Sequence, residues 1–161
     1  MTIQLPLATV EHLPFARNLT RQSMMRYYVQ HDLLWQDRPF DEAWQWRENH
    51  LVCVDEVPVG FVSLSDDTRA LYIRELHLVA AARGKGVGGQ VLETVIARAW
   101  QRRLAYVRLM VFKSNPAQRL YLRKGFVVAG EEESFLLLEC RTDPSARAGQ
   151  GAGLRNGRGE G

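Results

Sequence analysis

The stretch ELHLVAAARGKGVGGQVLETVIARAW, residues 75–100, changes pattern halfway along. Its first residues alternate between polar and apolar, which predicts a β-strand. Val87, Val91 and Val95 then recur at helical spacing, which predicts a helix with one buried face. Between the two patterns lie four glycines, at positions 84, 86, 88 and 89. Because a glycine inside a helix costs about 1 kcal/mol relative to alanine, their concentration indicates that bare backbone is needed at this point.

A glycine-rich turn between a strand and a helix predicts an anion-binding site. Without side chains, backbone N–H groups can approach an anion, and the helix N-terminus adds the positive end of its dipole. Arg83 and Lys85 add two positive charges. Arg83, Gly86 and Gly88 match the pattern Arg/Gln-x-x-Gly-x-Gly/Ala, which is short enough to arise by chance. The structural alternative is a flexible turn with two solvated cations.

The same glycines also match a dinucleotide-binding fingerprint. Gly84, Gly86 and Gly89 satisfy G-x-G-x-x-G. That fingerprint directly follows its strand, and an acidic residue stands about 20 residues further on. Here four residues intervene, and the next predicted strand carries the cations Arg108 and Lys113 instead of an acid. The spacing therefore disfavours a dinucleotide site.

Periodicity along the rest of the chain predicts eleven elements in the order β-α-α-β-β-β-α-β-α-β-β. The predicted strands are residues 2–7, 51–54, 58–65, 71–79, 105–112, 126–129 and 135–140, and the predicted helices are residues 9–28, 41–49, 87–103 and 114–124. We expect a single α/β (α+β) domain around one central sheet.

The charge is concentrated at the C-terminal end of the chain. The whole sequence has a formal net charge of +3, but residues 141–161 hold four arginines, two acids and six of the 13 glycines. Such a composition cannot bury enough apolar surface to fold. We therefore predict a folded domain over residues 1–140 and a disordered tail over residues 141–161. The domain itself is nearly neutral, which does not favour nucleic acid as a partner.

The remaining composition predicts a cytoplasmic protein. The N-terminus lacks the basic and apolar regions of a signal peptide, and no apolar run is long enough for a membrane span. Cys53 and Cys140 each lie in a strand-like apolar run, so we expect buried, reduced thiols. Nothing in the spacing of these residues predicts a metal site.

The strand, the glycine turn, the long helix and the later segment SNPAQRLYLRKGF (114–126) occur in an order that resembles the GCN5-related N-acetyltransferase superfamily. The resemblance covers residues 2–140. It implies a mixed central sheet, flanked by helices, in which two adjacent strands splay apart to admit acetyl-coenzyme A. The glycine turn would hold the pyrophosphate, and the strand before it would offer main-chain groups to the pantetheine arm. The cofactor-binding positions that it implies are Leu76, His77, Leu78, Arg83, Gly84, Lys85, Gly86, Val87, Gly88 and Asn115.

Within that superfamily, LYIRELHLV (71–79) followed by the turn looks closest to the diamine and polyamine acetyltransferase branch. That branch carries two consecutive acids on this strand. Here Arg74 precedes Glu75, so only Glu75 carries over, which puts a polyamine acceptor in doubt.

Two residues are the candidates for catalysis. The resemblance implies that Tyr121 is the general acid, and a phenol with a pKa near 10 keeps its proton at neutral pH; alternatively, Tyr121 only fills an apolar face. Glu75 is the candidate general base, acting through water. A carboxylate among apolar neighbours is costly unless it is paired, so Glu75 either serves catalysis or pairs with Arg74 or Arg108. His77 is expected on the same face and could act as the base instead.

We expect the acceptor to bind among the two N-terminal helices and their loop. This region is rich in aromatic and acidic side chains, namely Trp35, Trp44, Trp46, Asp32, Asp37, Asp41, Glu42 and Glu48. Such a mixture suits a cationic amine, although a packed aromatic face with solvated acids has the same composition. The sequence thus predicts an acetyl-CoA-dependent N-acetyltransferase acting on a primary amine of a small molecule, without metal, nucleic acid or membrane. A homodimer is plausible, and the alternative function is a non-catalytic acyl-CoA-binding or sensing domain.

Overall fold

The computed structural model describes residues 1–147, and their order of elements is the predicted one. The strands are β1 Ile3–Gln4, β2 Glu48–Val54, β3 Val57–Asp66, β4 Ala70–Leu78, β5 Tyr106–Phe112, β6 Val127–Glu131 and β7 Phe135–Arg141, and the helices are α1 Leu13–Gln30, α2 Asp37–Trp44, α3 Val87–Gln101 and α4 Gln118–Arg123. The strands form one sheet in the order β1-β2-β3-β4-β5-β7-β6. This mixed α/β architecture, a mostly antiparallel sheet with flanking helices, confirms the predicted fold class.

All four helices differ from their predicted bounds. α1 begins at Leu13, after a 3-10 turn at Val10–His12, and ends at Gln30, whereas residues 9–28 were expected, and α3 ends at Gln101 instead of residue 103. α2 begins at Asp37 and ends at Trp44, whereas residues 41–49 were expected. Pro39 falls in the first turn of this helix, where its missing N–H is tolerated. α4 begins at Gln118 instead of Ser114, because the residues just before it make tight turns, in which the carbonyls of Asn115 and Pro116 accept hydrogen bonds from the N–H groups of Gln118 and Arg119.

The chain divides into two compact units, of which the first comprises residues 1–65 and 72–91. Within it, β2 and β3 form an antiparallel hairpin. The turn residues Asp55 and Glu56 both have positive φ, 48° and 70°, which matches the right-handed twist of a two-residue hairpin. The core of the first unit is a cluster of buried apolar side chains from α1, α2 and β3, namely Ala16, Leu19, Phe40, Trp44 and Phe61.

Of the described residues, the second unit comprises 66–71 and 92–147. Its central strand is β7, which pairs antiparallel with β5 on one side and with β6 on the other. The predicted apolar face of α3 is confirmed here, since Leu92, Val95 and Ile96 are buried. Cys140 on β7 is buried too, as is Cys53 in the first unit, and both are unpaired thiols.

The predicted start of the tail at residue 141 is wrong for residues 141–147. β7 continues through Arg141, and the side chain of Thr142 is buried, with its Oγ1 donating to the Leu104 carbonyl at 2.5 Å. Arg147 donates to both carboxylate oxygens of Glu93, at 3.1 and 3.3 Å, and to the Lys124 carbonyl. Residues 148–161, the rest of the predicted tail, lie outside the described residues.

Replacing Arg147 with glutamine should lower the melting temperature by roughly 2–4 °C at neutral pH, the loss expected for a partly exposed ion pair in a domain of this size. Burial raises the pKa of the Glu93 carboxyl, but hydrogen bonds and charge from Arg147, helped by Lys124, outweigh it and hold that pKa below the usual 4.5. A depressed pKa contributes stability above pH 4.5 that is lost as the pH falls through the folded-state value. The difference between the two proteins should therefore shrink in acid.

Thermal denaturation followed by circular dichroism between pH 3 and pH 7 measures this difference. Arg141→Gln is the matched control, because Arg141 is exposed at the end of β7 and its loss should leave the melting temperature unchanged. Equal melting temperatures for the wild type and Arg147→Gln at pH 7 would contradict the assignment.

Candidate active site

The glycine turn follows the end of β4 through one 3-10 turn, Ala80–Ala82. Gly84 and Gly86 have φ of 73° and 81°, in the left-handed region that glycine adopts without strain. A Cβ at either position would meet no atom within 4 Å, so the backbone here is open on its outer side. α3 begins at Val87, and its first helical hydrogen bond runs from Gln90 N–H to the Gly86 carbonyl. The N–H groups before Gln90 are therefore available to an anion.

Arg83 links this turn to two other segments. Its Nε donates to the Leu78 carbonyl at 3.0 Å, and its Nη2 lies 3.2 Å from Ser23 Oγ on α1. The guanidinium therefore holds the end of β4 and the start of the turn together. The sequence predicted a cation for phosphates at Arg83 but not these two hydrogen bonds. Lys85, the other predicted cation, is exposed on the turn.

Gly60 on β3 is a residue of the site that the sequence analysis missed. A Cβ at this position would stand 2.1 Å from the His77 carbonyl oxygen and 3.0 Å from Leu78 Cα. Only glycine therefore permits β3 to approach this end of β4, where the predicted pantetheine-binding segment lies. Its signal in the sequence is an isolated glycine inside the strand pattern PVGFVSLS, which indicates a close approach of another backbone.

Glu75 and His77 form a pair on β4. Glu75 Oε2 lies 2.7 Å from His77 Nε2, with the carboxylate accepting when it is ionised. The His77 ring packs against Phe61 at a centroid distance of 5.8 Å, and its side chain is only 10% exposed. The pair places a carboxylate and an imidazole on one face of the strand, as the alternation predicted.

The two arginines that were expected to neutralise Glu75 bind elsewhere. Arg74 Nε donates to Ser65 Oγ at 2.8 Å, and its guanidinium stacks over the ring of Tyr72. Arg108 Nε donates to Glu139 at 2.8 Å. Strand alternation explains the first case, because neighbouring residues point to opposite faces. The histidine two residues along the strand is thus the partner of Glu75.

Glu75 also faces a cavity of about 210 Å³ in the first unit. Its walls come from α1, the following loop, α2, the segment just before β2 and β4, and the lining residues are Tyr28, Leu34, Trp35, Gln36, Pro39, Phe40, Ala43, Arg47 and Glu75. The predicted location of an acceptor site among the N-terminal helices coincides with this cavity. Tyr28 and Arg47 were not predicted, since neither belongs to a motif.

Two residues that line the cavity have pKa values shifted from the ordinary values of their side chains. Burial raises the pKa of the Tyr28 hydroxyl, and the negative charge of Glu75 raises it further. Burial lowers the pKa of the Arg47 guanidinium, which the charge of Glu75 opposes and the charge of Arg74 reinforces. At neutral pH the cavity therefore contains a neutral phenol and a charged guanidinium.

Most of the acids and tryptophans expected at the acceptor site have structural partners. Trp44 belongs to the core, and Trp46 is 85% exposed. Asp37 and Asp41 pair with Arg17 and Glu42 with Arg38, and the Glu48 carboxylate lies 2.6 Å from His50 Nε2. Of the predicted set, Trp35 is the member that lines the cavity within the described part of the chain.

Tyr121 and Asn115 lie in the second unit. Tyr121, on α4, is half-buried, and its ring meets Phe126 edge to face at 5.8 Å between centroids. Asn115 Oδ1 accepts a hydrogen bond from Ala117 N–H at 2.9 Å, so it caps the turn that leads into α4. Packing of the Tyr121 ring is compatible with chemistry at its hydroxyl.

Residues 1–147 contain no group of three or more histidine, cysteine or acidic side chains arranged to hold a metal ion. Nor does any helix in this part of the chain have the length and apolar character needed to cross a membrane.

Comparison with known proteins identifies a family. The model of the acetyltransferase (GNAT) family matches residues 18–126, more than half of the chain. The match spans α1 through the end of α4, and so includes the cavity-lining residues, the glycine turn and Tyr121.

Solved structures share the fold. The PaiA N-acetyltransferase from Thermoplasma acidophilum, in complex with coenzyme A, aligns with a TM-score of 0.69 at 18% identity, covering 88% of this chain and 99% of that one. A GNAT family acetyltransferase from Elizabethkingia anophelis with acetyl-CoA bound aligns equally well, with 18% identity and coverages of 86% and 97%. The ribosomal-protein-S18-alanine N-acetyltransferase from Escherichia coli has a TM-score of 0.68, 17% identity and coverages of 88% and 94%.

Replacing Gly60 with alanine should reduce the free energy of unfolding by about 1–3 kcal/mol, because the new methyl group would collide with the backbone of β4. Gly130→Ala is the matched control on another strand. There the added Cβ meets the flexible end of the Leu137 side chain, so the change should stay within about 1 kcal/mol. Urea denaturation of the three proteins measures both values, and equal losses in the two variants would show that Gly60 has no special role.

Proposed function

The chain belongs to the acetyltransferase (GNAT) family and is an acetyltransferase, and we propose that it transfers acetyl from acetyl-CoA to a primary amine of a small molecule by direct attack. The observation that carries the proposal is the pairing of Glu75 with His77 on the face of β4 that borders the 210 Å³ cavity. An amine bound in this cavity would lie near Glu75, a proton acceptor on the strand that precedes the glycine turn.

The glycine turn suits the pyrophosphate of coenzyme A. Gly84 and Gly86 leave open space, and the first N–H groups of α3 have no helical acceptors. We assign Lys85, Val87 and Gly88 to the phosphates, with Arg83 in a double role because it also holds the Leu78 carbonyl. Leu76, His77 and Leu78 are assigned to the pantetheine arm, and Asn115 to a further contact with the cofactor.

The chain's own residues would supply both proton transfers. Acetyl-CoA brings the activated thioester. Glu75, directly or through water, would accept a proton from the acceptor ammonium, so that the neutral amine can form the new C–N bond as the C–S bond breaks. His77 orients the Glu75 carboxylate or serves as the base itself. The nitrogen would release its second proton to solvent as it becomes an amide. Tyr121 would donate its proton to the departing sulfur and recover one from solvent.

A covalent acyl-enzyme is not part of the proposal. Nucleophilic cysteines are thiolates in partly exposed, electropositive surroundings. Cys53 and Cys140 are buried instead, and burial raises the pKa of both thiols. Transfer in one step between the two substrates needs no such intermediate.

The diamine and polyamine branch supplies one candidate class of acceptor, since Glu75 matches its strand motif. A non-catalytic acyl-CoA sensor is the alternative function, and it would retain the glycine turn while Tyr121 and Glu75 were dispensable. A cytoplasmic location and a homodimer stay predictions from the sequence.

Gly88→Asp should weaken acetyl-CoA binding by at least about tenfold, because it places a negative charge beside the pyrophosphate. An acid in the first turn of α3 is compatible with the helix dipole, so the protein should stay folded. Gly88→Asn is the neutral control of nearly equal size, and it should retain much more of the affinity. Calorimetric titration with acetyl-CoA decides, and equal affinities of the two variants would remove the turn from the phosphate site. If the wild type binds NADPH tightly and does not bind acetyl-CoA, the hypothesis of a dinucleotide-binding site is favoured.

Tyr121→Phe should lower turnover by about 10²–10⁴-fold while acetyl-CoA affinity stays nearly constant, because a general acid acts mainly in the transition state. The ring and its contact with Phe126 are preserved, so stability should change little. Tyr106→Phe on β5 is the matched control and should keep full turnover. The measurement is free thiol release with an amine that the wild type acetylates.

Full turnover of Tyr121→Phe would exclude the phenol from the mechanism. If acetyl-CoA binds tightly but no amine in a broad screen is acetylated, the sensor becomes the better account.

A further inference from the structure

Arg47 stands out among the cations of the first unit. Within the described residues its guanidinium forms no hydrogen bond and no ion pair, whereas Arg17, Arg74 and Arg83 each engage an oxygen atom of the protein. Arg47 is nevertheless partly buried and lines the cavity. A guanidinium withdrawn from water without a bonded anion is a cost that an anionic ligand can offset.

The chemistry of the guanidinium group indicates which class of anionic ligand it would bind. Burial lowers the pKa of Arg47, but a guanidinium stays charged at neutral pH in proteins. Its planar fork of N–H donors matches a carboxylate with two parallel hydrogen bonds, which a lysine cannot do. Arg47 is therefore suited to a ligand carboxylate.

The same cavity carries the opposite charge on Glu75. This carboxylate has His77 as its hydrogen-bond partner and keeps acceptor capacity for a ligand ammonium. A cation and an anion thus line one small space, which a zwitterion with a neighbouring ammonium and carboxylate complements. A diamine would bring a second positive charge towards Arg47.

Aromatic rings form the rest of the wall. Trp35 lies between Tyr28 and Phe40, with centroid distances of 5.6 and 6.0 Å. This surface suits an apolar or aromatic side chain. A cavity of about 210 Å³ is small beside the roughly 300–1,000 Å³ of typical ligand sites, which favours an acceptor of amino-acid size.

We propose that the acceptor is a free α-amino acid, held with its carboxylate on Arg47, its amine at Glu75 and its side chain against the rings of Trp35, Tyr28 and Phe40. This inference rests on the proposed function and names the class of its acceptor. A protein N-terminus is excluded on the same grounds, because the acetylated residue there has no free carboxylate.

The test compares each amino acid with the amine that lacks only its carboxylate. The pairs are L-phenylalanine with phenethylamine, L-leucine with 3-methylbutylamine and L-lysine with cadaverine. The wild type should show a kcat/KM about 10–100-fold higher for the amino acid, the advantage expected from charge-assisted hydrogen bonds to one carboxylate. The lysine pair also separates an amino-acid acceptor from a diamine.

Arg47→Met should reduce that preference by about 10–100-fold, because the methionine keeps much of the volume without the charge. Arg47→Gln is a second variant in case the first misfolds, and thermal denaturation checks both. Arg38→Met is the matched control, since Arg38 is exposed on α2 and pairs with Glu42, and it should keep the wild-type preference.

Two results would overturn the inference and leave the proposed function standing: a wild type that prefers the amine in every pair, or a preference that survives in both Arg47 variants. If acetyl-CoA binds and no compound is acetylated, the proposed function fails. In that case the inference is tested by calorimetric titration of L-phenylalanine into the protein saturated with coenzyme A. Binding by the wild type that is lost in Arg47→Met supports the inference, and absence of binding by the wild type overturns it.

Discussion

The close approach of β3 to the end of β4 is the constraint on which the candidate site depends. Gly60 permits it, because any side chain there would meet the His77 carbonyl. The contact fixes the segment that carries Glu75 and His77, and Arg83 then holds the carbonyl of Leu78 at its end. Since the glycine turn follows within a few residues, this one backbone packing contact helps to set the position of the first turn of α3 relative to the Glu75–His77 pair.

In the first unit, most charged side chains have partners within the protein, and a few border the cavity and are available to a ligand. The acids of α2 pair with Arg17 and Arg38, and Glu48 at the start of β2 lies against the His50 ring, so these acids have structural partners. Glu75 and Arg47 differ because both border an open cavity. A composition rich in acids and aromatics thus pointed to the region that contains the cavity, where Glu75 and Arg47 are the lining residues of opposite charge.

The second unit shows how far a short C-terminal segment can be tied to the body of a domain. Thr142 bonds to the carbonyl of a residue 38 positions earlier, and Arg147 reaches Glu93 on α3, 54 positions earlier. Composition alone assigned both to a disordered tail. A glycine-rich and arginine-rich average over 21 residues concealed the few side chains at its start that have specific partners.

The sequence by itself determined the order of elements and the glycine turn at the start of α3, because these depend on preferences that act over a few residues. Tertiary structure decided that Glu75 pairs with His77 and not with an arginine, that Arg47 and Tyr28 join Glu75 at one cavity, and that the ordered contacts extend to Arg147. The second and third of these depend on segments far apart in the chain meeting in space, and the first depends on the partners that Arg74 and Arg108 find elsewhere. Such meetings depend on how the whole sheet and its helices pack, which no local pattern encodes.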